Sequence, residues 1–309
     1  MSEKLVEVFD LSKSFPVKMG KVKNIKAVDD VSFYINRGET LGLVGESGCG
    51  KSTVGKTVLR LYEPTSGRII YDNSDITHAD MKPYRKKTQM IFQNPFSSLD
   101  PHMTVEEIIG EPIDIHHIVK NKEERKRQIL KMLEAVGIGG ENLKRYPHEF
   151  SGGQQQRISI ARALAVSPEF IVCDEPVSSL DVSVQAQILN MFKRLKDEKG
   201  LTYLFISHDM SVISYLSDRI AVMYLGIIVE IAGSNELLSH PAHPYTQALL
   251  SLIKDHENVL KGEMPSPIIR PSGCPFCTRC RRVTSACSEY VPKLKDIGNN
   301  HFSACRLSN

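Results

Sequence analysis

Gly45, Glu46, Ser47, Gly48, Cys49, Gly50, Lys51 and Ser52 match the pattern G-x-x-x-x-G-K-[ST] at every fixed position, directly after the apolar stretch Thr40-Leu41-Gly42-Leu43-Val44. Glycines let such a loop curl so that its backbone N–H groups point inward around phosphate oxygens, and the helix that follows adds the partial positive charge of its N-terminus. Lys51 is placed to bridge β- and γ-phosphates, the Ser52 hydroxyl to ligate Mg²⁺, and Thr53 to reach the α-phosphate. Asp174 and Glu175 form a second chemical group. They end the run Phe170-Ile171-Val172-Cys173, which has the character of a strand buried on both faces. There Asp174 suits the outer shell of the magnesium ion, and Glu175 suits polarising a water that attacks the γ-phosphate.

The elements that must hold these groups alternate between strand and helix. β-rich sequence comes first, with residues 28–35 alternating ahead of Arg37-Gly38, then the phosphate loop and a helix through Leu61. Pro64-Thr65-Ser66-Gly67 reads as a turn and Arg68-Ile69-Ile70-Tyr71 as a strand. Residues 123–136 carry Ile129, Met132, Leu133 and Val136 at helical spacing, with Gly137 placed to end the helix. Arg125-Lys126-Arg127 within it is a solvated face. A further helix covers residues 183–199, with Ile188, Leu189, Phe192 and Leu195 on one side, and stops at Gly200. Residues 220–224 and 227–231 read as paired strands. Beyond about residue 235 prolines accumulate, among them Pro265, Pro267 and Pro271, and regular structure is expected to thin out.

Composition narrows the function classes. A formal net charge of +3 over 309 residues is too slight to argue for nucleic acid as a partner. The longest apolar run, residues 220–229, ends at Glu230 and falls short of the about 20 residues a bilayer span needs. Met1-Ser2-Glu3-Lys4-Leu5 does not open a signal peptide, because acidic residues break the apolar region. The expectation is a cytoplasmic chain that reaches a membrane only through a partner.

Ser151-Gly152-Gly153-Gln154, leading into Gln155-Gln156-Arg157, turns the phosphate loop into a more particular machine, together with Gln93 in Ile91-Phe92-Gln93-Asn94-Pro95, Ser178-Ser179-Leu180-Asp181, and His208 after Ile206-Ser207. In this order and spacing the set resembles the ATP-binding subunits of ABC transporters, with Phe150 where Leu is common. The resemblance implies an α/β P-loop ABC-type nucleotide-binding domain: a RecA-like core sheet with helices, an N-terminal antiparallel β part and an inserted helical subdomain at about 94–160. It also implies site roles. Phe15 stacks on adenine, and residues Gly45, Ser47, Gly48, Cys49, Gly50, Lys51, Ser52 and Thr53 hold ATP. Ser52, Gln93 and Asp174 serve Mg²⁺, and Glu175, His208 and Gln93 serve hydrolysis. Asp181 marks the loop at the dimer seam. Ser151, Gly152, Gly153 and Gln154 face the ATP held by a partner subunit, so two protomers sandwich two nucleotides. A P-loop kinase gives no role to the signature or to His208, and a soluble ABC ATPase acting on nucleic acid or ribosomes calls for tandem domains, a coiled-coil insertion or a strongly basic surface.

His243-Pro244-Tyr245-Thr246-Gln247-Ala248-Leu249-Leu250 and Gly273-Cys274-Pro275-Phe276 resemble the extension on ATPases of oligopeptide, dipeptide and nickel importers, and most of all the second of their two ATPase subunits. The division this implies is a nucleotide-binding domain over 1–235 and a small, irregular Cys-rich extension over 236–309. It also implies a second ATPase subunit, two permease subunits, an extracellular solute-binding protein, no nucleic acid, and a peripheral place on the cytoplasmic side of the cell membrane. Peptide is the expected solute, with nickel the alternative. Five cysteines, Cys274, Cys277, Cys280, Cys287 and Cys305, lie in the extension; disulfides suit a cytoplasmic protein poorly, and clustered thiolates suggest a soft metal. Spacing alone favours Cys274, Cys277 and Cys280 with one distal Cys. The family pattern instead implies Cys274, Cys280, Cys287 and Cys305 around a 4Fe-4S cluster, with Phe276 and Arg279 in place. Zinc and metal-free thiols stay open. Cys49 is a candidate for slow oxidation or alkylation, and Cys173 for the core.

Overall fold

The computed structural model describes residues 3–19, 21–254, 264–266, 268 and 270–307. Met1, Ser2 and Pro267 of the sequence reading lie outside them. The chain divides into two compact units, one of residues 1–79 with 205–309 and one of residues 80–204.

The first unit opens on two long antiparallel strands, β1 (Lys4–Met19) and β2 (Lys21–Asn36). The expected alternation over 28–35 is present but changes phase. Val28 is buried, and so are Val31, Phe33 and Ile35. Asp30, at φ 55°, and a register shift between the pairs Leu11–Val31 and Lys13–Val28 insert the extra residue, as a β-bulge does. Next come β3 (Thr40–Val44), buried throughout, and α1 (Lys51–Val58), which ends three residues short of the expected Leu61. After it Arg60 turns left-handed, at φ 52°. Strands β4 (Ser66–Tyr71) and β5 (Ser74–Asp75) complete a sheet of order β2-β1-β4-β5. Ser66, expected in a turn, already pairs with Ser12 as strand, and Gly67 follows it at a register shift with φ 94°.

The second unit holds strand β6 (Thr88–Ile91), the short helix α2 (Pro95–Ser98), then α3 (Val105–Ile115), α4 (Lys122–Ala135) and α5 (Gly152–Leu164). Strand β7 (Phe170–Asp174) runs parallel to β6. Helix α6 (Val182–Lys199) follows, and β8 (Thr202–Ser207) carries the chain out of the unit; the strand order here is β8-β7-β6. The helix starts are set by caps: Thr104 and Glu107 form a reciprocal capping box on α3, and Asn121 accepts from the Glu124 amide on α4. Each such cap contributes about 1 kcal/mol. The stops are glycines in left-handed geometry, Gly137 at φ 72° after α4 and Gly200 at φ 63° after α6, as their positions in the sequence predict. Arg162 of α5 donates to Ser98 and to Glu111, tying the helices together.

Back in the first unit, α7 (Met210–Leu216) leads to β9 (Arg219–Tyr224) and β10 (Ile227–Gly233), an antiparallel pair that matches the predicted strands. β3 runs parallel to β9. The extension has more regular structure than its prolines suggest: α8 (Ser234–Ser239), α9 (Pro244–Lys254), and two short strands, β11 (Lys295–Asp296) and β12 (Phe302–Ser303), in the order β11-β12-β10-β9-β3. Pro244 opens α9, where a missing N–H is harmless, so proline here starts a helix instead of preventing one. No helix among the described residues is long and apolar enough to cross a membrane.

Candidate functional site

In the first unit the buried β3 delivers the chain into the loop at residues 45–50, and α1 begins at Lys51. Gly50 sits at φ 111°, and a Cβ there would stand 2.2 Å from the Ala27 carbonyl oxygen. At Gly45 a Cβ would come 2.1 Å from the Met223 carbonyl. No other residue fits either position, which is why the motif requires glycine there. Gly50 caps α1 without any side-chain hydrogen bond, so the first turn presents backbone donors to the loop. Lys51 is buried, and its Nζ donates to the carbonyls of Gly45 (2.8 Å) and Glu46 (3.1 Å), which sets an ammonium inside the curve of the loop. Ser52 and Thr53 follow on the first turn of α1.

Cys49 corrects the sequence expectation of a reactive thiol. Its side chain is buried, and burial pushes its pKa up more than the nearby Lys51 lowers it, so the thiolate needed for alkylation is suppressed. Cys173 is fully buried, as expected.

Phe15 lies on β1 and meets Tyr62 edge-on, with ring centroids 5.4 Å apart and planes at 81°. Lys13 Nζ stands over both rings, at 5.1 and 6.0 Å. This is an aromatic and cationic platform suited to a flat heterocycle. Tyr62 escaped the sequence reading because nothing in local spacing links residues 15 and 62. His208, also in this unit, is exposed just after β8, and the next residue, Asp209, caps α7 by accepting from the Ser211 amide.

In the second unit Gln93 and Glu175, 82 residues apart in sequence, are brought together: Gln93 Nε2 donates to Glu175 Oε2 at 3.1 Å. Asp174 is buried at the carboxyl end of β7. Glu175 takes a left-handed backbone, φ 46°, which is unfavourable for a residue with a Cβ and is the kind of strain held where a side chain must be aimed. A carboxylate gripped by an amide donor at a strand end can accept a proton from water. Asp181 is exposed at the N-cap of α6.

The signature residues start α5. Ser151 Oγ accepts from the Gln154 amide (3.4 Å), and Gln154 Oε1 accepts from the Ser151 amide (3.0 Å). Accepting does not use up the hydroxyl's own proton, so Ser151 keeps a donor to offer an anion. Ser151 and Gln154 are exposed, and a Cβ on Gly153 would meet Val184 Cγ1 at 2.5 Å. The arrangement is a helix N-terminus whose exposed end carries a hydroxyl and two glycines.

The extension is built on buried polar contacts. Glu230, fully buried on β10, accepts from the amides of Ala242 (2.7 Å) and His243 (2.9 Å) and pairs with His301 Nε2 at 2.7 Å. His243 Nδ1 accepts from the Tyr245 amide at 3.1 Å, and burial holds its pKa down to about 3. The unfolded chain, with histidine near 6.5, therefore takes up this proton first, and stability is lost as pH falls from about 6.5 towards 3. Urea unfolding of His243→Gln is expected to show an acid dependence flatter by up to about 1.4 kcal/mol per pH unit below pH 6. Parallel pH dependences for variant and wild type would count against it.

Cys274, Cys277, Cys280, Cys287 and Cys305 line one pocket with Tyr290, and all five are free of disulfides. Cys280 Sγ accepts from the Arg282 amide and Cys305 Sγ from the Leu307 amide, each at 3.4 Å; Thr284 Oγ1 lies 3.4 Å from Cys287 Sγ. Burial pushes the Cys274 thiol up to about 11, whereas the Thr284 hydrogen bonds draw Cys287 down. The donor set suits a soft metal, but among the described residues no three Cys, His, Asp or Glu side chains stand close enough to hold one. Phe276 lines the same pocket and also packs on Tyr224 and Tyr245, while Arg279 pairs with Glu46.

The chain is similar to known proteins over most of its length. Residues 28–178 match the family model described as ABC transporter, and residues 229–287 match the one described as oligopeptide/dipeptide transporter, C-terminal region. The chain is 49% identical to the oligopeptide transport ATP-binding protein AppF of Bacillus subtilis (strain 168), over 99% of this chain and 98% of that protein. It is 55% identical to OppF of the same organism over 82% of this chain and 83% of that protein. Among solved structures, the dimeric ATP-binding cassette MJ0796 in a post-hydrolysis state bound to ADP and Pi aligns with TM-score 0.67 at 30% identity, covering 74% of this chain and 99% of that one.

Proposed function

The chain belongs to the ABC transporter ATP-binding proteins of the oligopeptide transport family, and from that membership we propose that it binds and hydrolyses ATP to power import of peptides through a membrane complex. The observation that carries the catalytic part is the phosphate loop with its buried Lys51, alongside a separate carboxylate, Glu175, held by Gln93. Lys51 exchanges the carbonyls of Gly45 and Glu46 for β- and γ-phosphate oxygens; Ser52 in the first unit and Asp174 and Gln93 in the second are the residues that would serve Mg²⁺, which would neutralise charge on the phosphates. The backbone donors of residues 47–53 cradle the phosphates, and Phe15 stacks on the base. Glu175 orients the attacking water, and His208 contacts the γ-phosphate.

In this reading Ser151, Gly152, Gly153 and Gln154 serve ATP on a partner subunit, and Asp181 lies along the seam. The MJ0796 cassette, a dimer with ADP and Pi, supports it. So does the exposure of Ser151 and Gln154, which a role within one subunit does not require. The partner is a second, distinct ATPase subunit, and the two engage two permease subunits on the cytoplasmic side of the cell membrane, with an extracellular solute-binding protein completing the importer. The domain division is 1–235 for the nucleotide-binding part, with its helical subdomain at about 94–160, and 236–309 for the extension.

Cys274, Cys280, Cys287 and Cys305 are the residues that would hold a 4Fe-4S cluster, or zinc, in a structural role; a cluster supplies a rigid thiolate crosslink and no step of hydrolysis passes through it. The shared pocket and the hydrogen bonds on its sulfurs support this reading, and the side chains must close inward to ligate. Anaerobic pull-down of the tagged chain from solubilised membranes tests both proposals. The expected result is co-purification of two integral membrane proteins and a second ATPase, with iron, sulfide and a visible absorbance band. Recovery with RNA or ribosomes overturns the import reading, and a colourless, iron-free complex removes the cluster.

A further inference from the structure

The phosphate loop is fastened from outside by the extension. Glu46, its second residue, is held twice: its backbone N–H donates to Tyr245 Oη at 3.0 Å, and its carboxylate accepts from Arg279 Nη1 at 2.9 and 3.0 Å. Tyr245 stands on α9 and is fully buried; Arg279 lies between Cys277 and Cys280 with its side chain only 6% exposed. The other end of the loop is held as well, since the Cys49 carbonyl accepts from the Gly226 amide at 2.8 Å. Beneath these contacts lies an aromatic floor. Tyr224 and Tyr245 rings are 4.7 Å apart, Phe276 is 5.3 Å from each, and the Arg279 guanidinium lies over Tyr224 at 6.0 Å.

We propose that Arg279 and Tyr245 are positioning residues for ATP binding, through which the extension fixes the glycine-rich loop in its nucleotide-accepting shape. A loop with three glycines in six residues is entropically costly to order, and order imposed before binding adds directly to affinity. The Tyr245 contact fixes the peptide plane that joins Gly45 to Glu46, and with it the Gly45 carbonyl that accepts from Lys51 at 2.8 Å, so it also aims the ammonium. A charge-assisted, largely buried contact of this kind is stronger than an ordinary surface pair. Neither residue touches the reacting atoms, and each acts through Glu46.

This inference rests on the ATP-binding reading, and the test separates the two. ATP affinity of the purified full chain is measured for wild type, Tyr245→Phe, Arg279→Met, Arg279→Lys and Glu46→Gln, alongside urea unfolding and amide hydrogen exchange of residues 45–52. Tyr245→Phe and Arg279→Met are each expected to weaken ATP binding about tenfold, to speed exchange in the loop, and to leave the unfolding midpoint nearly unchanged. Arg279→Lys should restore part of the affinity, and Arg279→Met combined with Glu46→Gln should cost no more than the worse single change. In the assembled complex the KM for ATP rises while kcat at saturation is kept. If Arg279→Met does not fold, Tyr245→Phe decides alone, since it removes one oxygen and keeps the ring that packs on Tyr224 and Phe276. Variants that bind ATP like wild type, or lose affinity only in step with global stability, overturn the proposal. A wild-type chain that binds no ATP overturns the ATP reading itself.

Discussion

Glu175→Gln is expected to keep ATP bound while lowering steady-state hydrolysis in the assembled complex by about a thousandfold. The amide has nearly the shape of the carboxylate and can still meet Gln93, which now lies 3.1 Å from Glu175 Oε2. What it lacks is the capacity to take a proton from the attacking water. Binding rests on other groups, namely the loop amides, the N-terminus of α1 and Lys51, none of which the substitution touches. The left-handed backbone at Glu175 adds a control, because Glu175→Gly relieves strain while also removing the carboxylate. Both variants should therefore be catalytically poor, with the glycine variant no less stable than the glutamine one. Near-normal turnover by Glu175→Gln would move the general base elsewhere.

Gly153→Asp is the second large effect. An aspartate beside the N-terminus of α5 is favourable for that helix, so the charge itself does not harm the fold. Its Cβ meets Val184 Cγ1 at 2.5 Å, a steric conflict that Val184→Ala relieves. If the signature faces a partner's γ-phosphate, the new carboxylate repels that phosphate, and hydrolysis in the complex falls by about a hundredfold. ATP binding to the variant's own phosphate loop is expected to be unchanged, and relief by Val184→Ala should restore stability but not turnover. A double variant that hydrolyses ATP normally would show that the N-terminus of α5 does not attend the reacting phosphate.

Chemistry was more legible in the sequence than architecture. The phosphate loop could be read because its geometry permits only glycine at Gly45 and Gly50, so a local backbone requirement appears as residue identity. Helix ends at Gly137 and Gly200 were readable for the same reason. Order along the chain pointed to Gln93 and Glu175 as members of one set, but their hydrogen bond is a product of the parallel β6–β7 pair, which no local signal encodes. Tyr62 beside Phe15, and Tyr245 and Arg279 on Glu46, are side-chain meetings across long separations and were invisible for that reason. The extension misled through its prolines: Pro244 starts a helix, and strand β12 joins β10 beside the buried Glu230–His301 pair. Cys49 misled in the opposite sense, since its place in an accessible motif hid the burial of its thiol.

The central claim is that ATP hydrolysis by this chain drives peptide import, and uptake into proteoliposomes containing the reconstituted complex tests it most directly. Labelled mixed peptides are offered with the solute-binding protein outside, and ATP and Mg²⁺ are trapped inside with the ATPase subunits. The account predicts accumulation that requires ATP and that Glu175→Gln in this chain reduces to near the nucleotide-free level. Accumulation that is equal with and without ATP, or unaffected by Glu175→Gln, would contradict it.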